Sequence, residues 1–149
     1  MIQAAFAPAK VNLFLHVGPV RADGFHPVSS LMVFADVGDQ LGVEPADRFG
    51  LQVAGPHAAG APANDSNLVM RAARALFARA GVEAPTRRLV LDKQLPVAAG
   101  LGGGSSDAAA AMKLLRERMG LDLGDDVLEE IAAGLGSDVP AGLRGVSTL

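Results

Sequence analysis

Cysteine, tryptophan and tyrosine do not occur among the 149 residues of this chain. Without cysteine there can be no disulfide framework and no thiolate metal centre, and the composition suits a cytoplasmic setting. Phe6, Phe14, Phe25, Phe34, Phe49 and Phe77 are the whole aromatic complement. Strong charge of one sign is lacking too. Thirteen Lys and Arg face 16 Asp and Glu, for a net charge of −3, with the signs interspersed. No basic stripe is offered to a phosphate backbone, which argues against nucleic acid as the main partner. No apolar run has the length needed to cross a bilayer, so no membrane association is expected. The first ten residues, MIQAAFAPAK, do not combine the basic start and apolar core of a signal peptide.

What is present suits one ordinary domain: half the residues are apolar and 19% are charged, so a sizeable core can form without staples. The first third reads as strands. AAFAPAKVNLFLHVG (4–18) is rich in β-branched and aromatic residues and alternates from Val11 to Val17. A D-G turn signal in RADGFH precedes a second strand, VSSLMVFADV, and two shorter strands are expected in DQLGVEP and RFGLQVAG. PHAAGAPANDSN reads as a surface loop. The period then changes. NLVMRAARALFARAG places Leu68, Ala72 and Leu76 on one face beside Val69, Ala73 and Phe77, with Arg71, Arg74 and Arg79 outside and Gly81 as a stop. RRLVLDKQL returns to strand. A helix is expected from about Ser105 to Met119, with Ala108, Ala111, Met112 and Leu115 inward and Lys113 and Glu117 outward. A shorter helix, DDVLEEIAAGL, has acids in its first turn, which suits the helix dipole. Strands that cluster early in the chain point to α+β rather than to a doubly wound parallel sheet.

The feature with most chemical content is PVAAGLGGGSSDAAAAM, residues 96–112. A strand that feeds a glycine-rich loop opening a helix is suited to anions. The first helical N–H groups lack internal partners, the dipole adds positive charge, and glycine lets the backbone come close to a ligand. Ser105 and Ser106 add hydroxyls. A P-loop does not fit, because no lysine stands before Ser105. In a dinucleotide fingerprint Gly100 and Gly102 would take the first two places, but Ser105 stands in the third and no strand-ending acid follows. A ligand-free turn remains, although so much glycine is costly to order.

The stretch PVAAGLGGGSSDAA resembles the second signature motif of the GHMP kinases, which phosphorylate small-molecule alcohols. In that family the loop wraps the ATP phosphates without a P-loop lysine. APAKVNLFLHV is similar to the first family motif. Together with RADGFHPVSSLM, NLVMRAARAL and LGSDVP, it resembles the branch that acts on a cytidine diphosphate-linked alcohol in isoprenoid precursor synthesis. These similarities run in order from residue 7 to about 145. The resemblance implies an α+β fold: a GHMP kinase N-terminal, ATP-binding domain over residues 1–149, like the second domain of ribosomal protein S5, with an unusual left-handed βαβ crossover. It also implies a C-terminal domain with a third glycine-rich motif. Nothing like that motif follows LRGVSTL, so the expectation is a shortened chain with little kinase activity alone.

The resemblance carries roles onto particular residues. Lys10 and Asp138 are implied as the catalytic pair, Asp138 receiving the hydroxyl proton and Lys10 keeping it ionised and polarising the attacking oxygen. ATP is implied to lie against Pro96, Val97, Ala98, Ala99, Gly100, Leu101, Gly102, Gly103, Gly104, Ser105 and Ser106. Mg²⁺ is expected with ATP, with Ser106 as its protein contact. Asn12, Phe25 and His26 match positions that contact cytidine: a ring suits stacking and an imidazole can bond the base edge. The family often has tyrosine in place of Phe25, and that hydroxyl contact is lost here. Two other readings stay open, a GHMP kinase for another alcohol and a non-catalytic domain that at most binds nucleotide.

Overall fold

The computed structural model describes residues 4–22, 28–97 and 102–145. Strand β1 (Ala4–Val17) pairs antiparallel with β2 (Val28–Pro45), which pairs antiparallel with β4 (Arg87–Asp92); β3 (Gly50–Ala54) runs parallel to β4 at the far edge. The order is therefore β1-β2-β4-β3, with helix α1 (Leu68–Ala80) in the connection between the two parallel strands. Helices α2 (Gly103–Met119), α3 (Asp125–Leu135) and α4 (Val139–Arg144) follow. The expected α+β order holds. One expectation is corrected: VSSLMVFADV and DQLGVEP form a single 18-residue strand, β2. The loop between 55 and 67 also holds a short 3-10 turn, Ala58–Gly60.

Apolar periodicity explains which faces meet. Leu89 and Leu91 of β4, Leu41 and Val43 of β2, and Ala7 of β1 are buried under the helices. From the helix side come Val69, Leu76 and Phe77 of α1, then Met112 and Leu115 of α2. Phe77 meets Phe49 edge-on at 5.0 Å, and the Arg74 guanidinium lies 5.6 Å from the centre of the Phe49 ring. Gly81 ends α1 in the left-handed conformation (φ 68°), the stop its position predicts.

Helix α2 begins at Gly103, two residues before the predicted start, because Gly102 takes a left-handed conformation (φ 64°) immediately ahead of it. Its four alanines, 108–111, are all buried, and small side chains let neighbouring elements come close. Helix α4 uses this: a Cβ on Gly142 would lie 3.0 Å from the Ala109 Cβ. Lys113 departs from expectation. It is half-buried rather than outward, and burial, then the nearby Arg116 charge, lowers its pKa despite Asp125.

Near the site the β1–β2 ladder is irregular. Pro8 faces Gly38 but Lys10 faces Phe34, so two residues of β1 span four of β2. Such bulges re-aim side chains, and Lys10 is buried beside Ala7 and Ala9 instead of alternating outward. Gly38 makes the close approach possible: a Cβ there would lie 2.1 Å from the Ala7 carbonyl oxygen and 2.7 Å from the Pro8 Cα. Both obstacles are backbone, so neither can swing away. Gly38→Ala is expected to destabilise the fold by about 1–3 kcal/mol, read as a lower urea midpoint with an unchanged slope.

Candidate functional site

Two lysines from different parts of the sheet converge beneath the glycine loop. Lys10, on β1, has its stem against Gly102: a Cβ on that glycine would lie 3.1 Å from the Lys10 Cβ and Cε. Lys93 follows β4 directly, and its Nζ would stand 3.1 Å from a Cβ on Gly103, the first residue of α2. Both glycines are therefore sites of close approach, where any side chain would press on a lysine.

The Lys10 ammonium donates to Asp138 Oδ2 at 2.7 Å, across 128 residues of sequence. The lysine side chain is 8% exposed and the aspartate 34%. Asp138 precedes Val139 at the start of α4 but does not cap that helix. Its carboxylate is turned to the lysine instead. The close packing of α4 on α2 through Gly142 and Ala109 holds Asp138 over β1. The sequence reading brought these two residues together by resemblance, and in the folded chain they touch.

Lys93 belongs to a second cluster that the sequence reading did not find. Its ammonium donates to Asp39 Oδ2 at 2.7 Å and to Asp107 Oδ2 at 3.1 Å. Asp39 Oδ1 accepts two further bonds, from the N–H groups of Gln94 (2.7 Å) and Leu95 (2.8 Å). All three charged side chains are nearly inaccessible. Burial pushes Asp39 up, but hydrogen bonds from Asp107, Lys93 and Leu95, with the Lys93 charge, more than offset it and leave the pKa lowered. Burial depresses Lys93, and the two carboxylates outweigh it, leaving its pKa raised. Asp107 is the odd acid in this group. Burial, then the proton it shares with Asp39 and the Asp39 charge, push it up to about 8 against the pull of Lys93. At neutral pH the cluster is therefore one ammonium, one carboxylate and one neutral acid, and it carries no net charge. Asp107 Oδ1 is buried without a hydrogen-bond partner.

Lys93 and Asp107 also line a cavity of about 340 Å³, together with Gly102, Gly103, Gly104 and Ser105. Its apolar walls are Leu68, Leu91, Pro96 and Val97. The opposite rim comes from the segment read as a surface loop: Gly60, Ala61, Pro62, Ser66 and Asn67. Asn67 stiffens that rim, accepting from the Val69 N–H at 2.9 Å as the cap of α1 and donating to the Pro62 carbonyl at 2.8 Å. Turn residues there were legible; their return to the glycine loop was not, because it depends on the β3–α1–β4 path.

Of the predicted ATP-contacting residues, Pro96, Val97 and Gly102 to Ser105 face the cavity. Ser106 is 4% exposed and does not line it, whereas Ser105, its neighbour in the loop-to-helix segment, does. Ala98, Ala99, Gly100 and Leu101 lie outside the described residues, as do Phe25 and His26. Asn12 is exposed on β1, opposite Met32. Among the described residues no group of three or more His, Cys, Asp or Glu could hold a metal ion, and no helix is long and apolar enough to cross a membrane.

The chain is similar to known kinases. The profile of the GHMP kinases N terminal domain matches residues 67–146. The chain is 57% identical over 141 residues to the 4-diphosphocytidyl-2-C-methyl-D-erythritol kinase of Caulobacter vibrioides (strain NA1000 / CB15N), covering 95% of this chain and 49% of that protein. It is 50% identical over 145 residues to the enzyme of the same name from Dinoroseobacter shibae, covering 97% and 47%. A crystal structure of 4-(cytidine 5'-diphospho)-2C-methyl-D-erythritol kinase superposes with a TM-score of 0.79 at 38% identity, covering 97% of this chain and 50% of that one. A homoserine kinase from Cytophaga hutchinsonii gives a TM-score of 0.67 at 20% identity, covering 93% and 42%, a likeness of fold alone. The chain spans about half the length of the curated relatives it matches.

The buried acid predicts a pH dependence of stability. With its folded pKa raised above the unfolded value near 4, Asp107 holds its proton more tightly in the folded chain. Its contribution is intact below that unfolded value and is lost as pH rises towards about 8. Asp39, lowered, acts oppositely and loses its contribution only in strong acid. Between pH about 5 and about 8.5 the melting temperature should fall, and Asp107→Asn should flatten that decline, as read by thermal unfolding across the range.

Proposed function

The chain belongs to the GHMP kinase family, and from that premise we propose that it supplies the ATP-binding half of a cytoplasmic kinase that phosphorylates a hydroxyl of 4-diphosphocytidyl-2-C-methyl-D-erythritol in isoprenoid precursor synthesis. One observation carries the reading: the Lys10–Asp138 pair, 2.7 Å apart, abuts Gly102, which also lines the cavity. A nucleotide base would fill the apolar end, between Leu68, Leu91, Pro96 and Val97, with Asn67 at its edge. Its phosphates would then run over Gly102–Ser105, where the first N–H groups of α2 and the dipole receive them. Phosphates so placed end beside Lys10 and Asp138.

The residues divide the chemistry as phosphoryl transfer requires, by alignment, neutralisation and removal of one proton. Asp138 accepts the proton of the substrate hydroxyl. Lys10 holds that carboxylate in place through its 2.7 Å hydrogen bond and draws charge from the attacking oxygen. Mg²⁺ bound with ATP would neutralise phosphate charge. Such an ion usually keeps several waters and binds largely through the phosphates, and the Ser105 hydroxyl at the start of α2 would be its protein contact. Asn12, with Phe25 and His26, is assigned to the cytidine part of the substrate.

The test is phosphoryl transfer from ATP to the cytidine diphosphate-linked alcohol, by the chain alone and by the chain extended with the C-terminal half of the Caulobacter relative. Both should bind ATP, and only the extended chain should turn over. Asp138→Asn in the extended chain should lower kcat by about 10²–10⁴ with little change in ATP affinity. Turnover that persists in that variant would refute the assignment. His26→Ala without effect on cytidine-dependent binding would favour another alcohol, and ATP binding without product from either chain would favour a non-catalytic domain.

A further inference from the structure

The Asp39–Lys93–Asp107 cluster is an unusual use of charge. A buried ion pair is commonly no more stable than an apolar replacement, because desolvation cancels much of the attraction. Lys93 is also poorly placed for helix stability, since its ammonium lies against the first residue of α2, where the dipole is already positive. Its partners, however, stand at the two ends of one loop. Asp39 takes the N–H groups of Gln94 and Leu95, where the chain leaves β4. Asp107 stands in the first turns of α2, where the chain resumes regular structure. Lys93 bonds to both acids and so joins the two ends. The segment between them is rich in glycine, the residue that loses most conformational freedom on ordering.

We propose that Asp39 and Lys93 are positioning residues for nucleotide binding: they clasp the two ends of the glycine loop through Asp107 and thereby hold the N-terminus of α2 against the cavity. This rests on the cavity being the nucleotide site. Neither residue has to touch the nucleotide. Asp39 is fully buried and acts on the loop through two backbone N–H groups, and the Lys93 ammonium is spent on the two acids. The fit is tight enough to transmit displacement. A Cβ on Gly103 would stand 3.1 Å from Lys93 Nζ and 3.7 Å from Asp39 Oδ2, so the first turn of α2 rests directly on the cluster.

Two measurements on the intact chain test the clasp. One is the affinity for a fluorescent ATP analogue; the other is hydrogen exchange of amides 102–106 without ligand. Asp39→Asn and Lys93→Met should each weaken the analogue roughly tenfold or more and speed exchange at the loop. The double variant should lose little beyond the worse single, because both act through one unit. Asp107→Asn, which can still accept from Lys93, should recover most of what Asp107→Ala loses. Leu128→Ala, in α3 away from the loop, serves as the comparison for general destabilisation. Losses of affinity no larger than those of Leu128→Ala at matched melting temperature, or loop amides that exchange at the wild-type rate, would overturn the proposal. If the wild-type chain binds no analogue, the nucleotide reading fails, and the exchange data still decide whether the clasp exists.

Discussion

A lysine ammonium taken out of water must be neutralised where it lies, and in this chain two of them lie under the same glycine loop. Lys10 is met by Asp138 and Lys93 by Asp39 and Asp107. These requirements bind distant parts of the molecule to one another. Satisfying Lys10 brings the start of α4 to β1. Satisfying Lys93 brings β2, the end of β4 and α2 to a single point. The cavity walls are drawn from the elements so assembled, with α1 and the segment before it completing the rim.

Small residues make the assembly sterically feasible. Gly38 admits the β1 backbone, Gly142 lets α4 settle on the alanine face of α2, and Gly102 and Gly103 leave room for the lysines. In each case the missing methyl group is occupied by another part of the chain. Gly102 and Gly103 thus do more than open a helix towards anions: both approach charged side chains closely and both line the cavity. The absence of a lysine inside the loop acquires a physical sense from this arrangement. Positive charge is brought from β1 and from the end of β4, and it is matched beforehand by carboxylates.

Much of this was legible in the residues. The helical period of residues 68–80 with a glycine stop, the alternating leucines of β4 and the glycine-to-helix transition all follow from local chemistry, and each appears in the fold. The Lys10–Asp138 contact was anticipated only through resemblance to a family, since nothing local relates residues 128 apart. Asp39 falls within the strand segment DQLGVEP and Asp107 within the glycine-to-helix stretch, and no local pattern marks either as a partner of Lys93. Lys113 and Glu117 looked alike on a helical wheel, yet Lys113 is half-buried because α4 folds back beside it.

Local patterning, then, established an α+β chain with an anion-suited loop ahead of an alanine-rich helix, because periodicity, turn chemistry and helix termini act over a few residues. Which charges lie beneath that loop was settled by the meeting of β1, β2, β4, α2 and α4, elements far apart in the chain. Electrostatic energy depends on distance through space, and burial magnifies it. The same aspartate can be a solvated turn residue, a base paired with lysine or a neutral buried acid, and only its neighbours in the folded chain distinguish them.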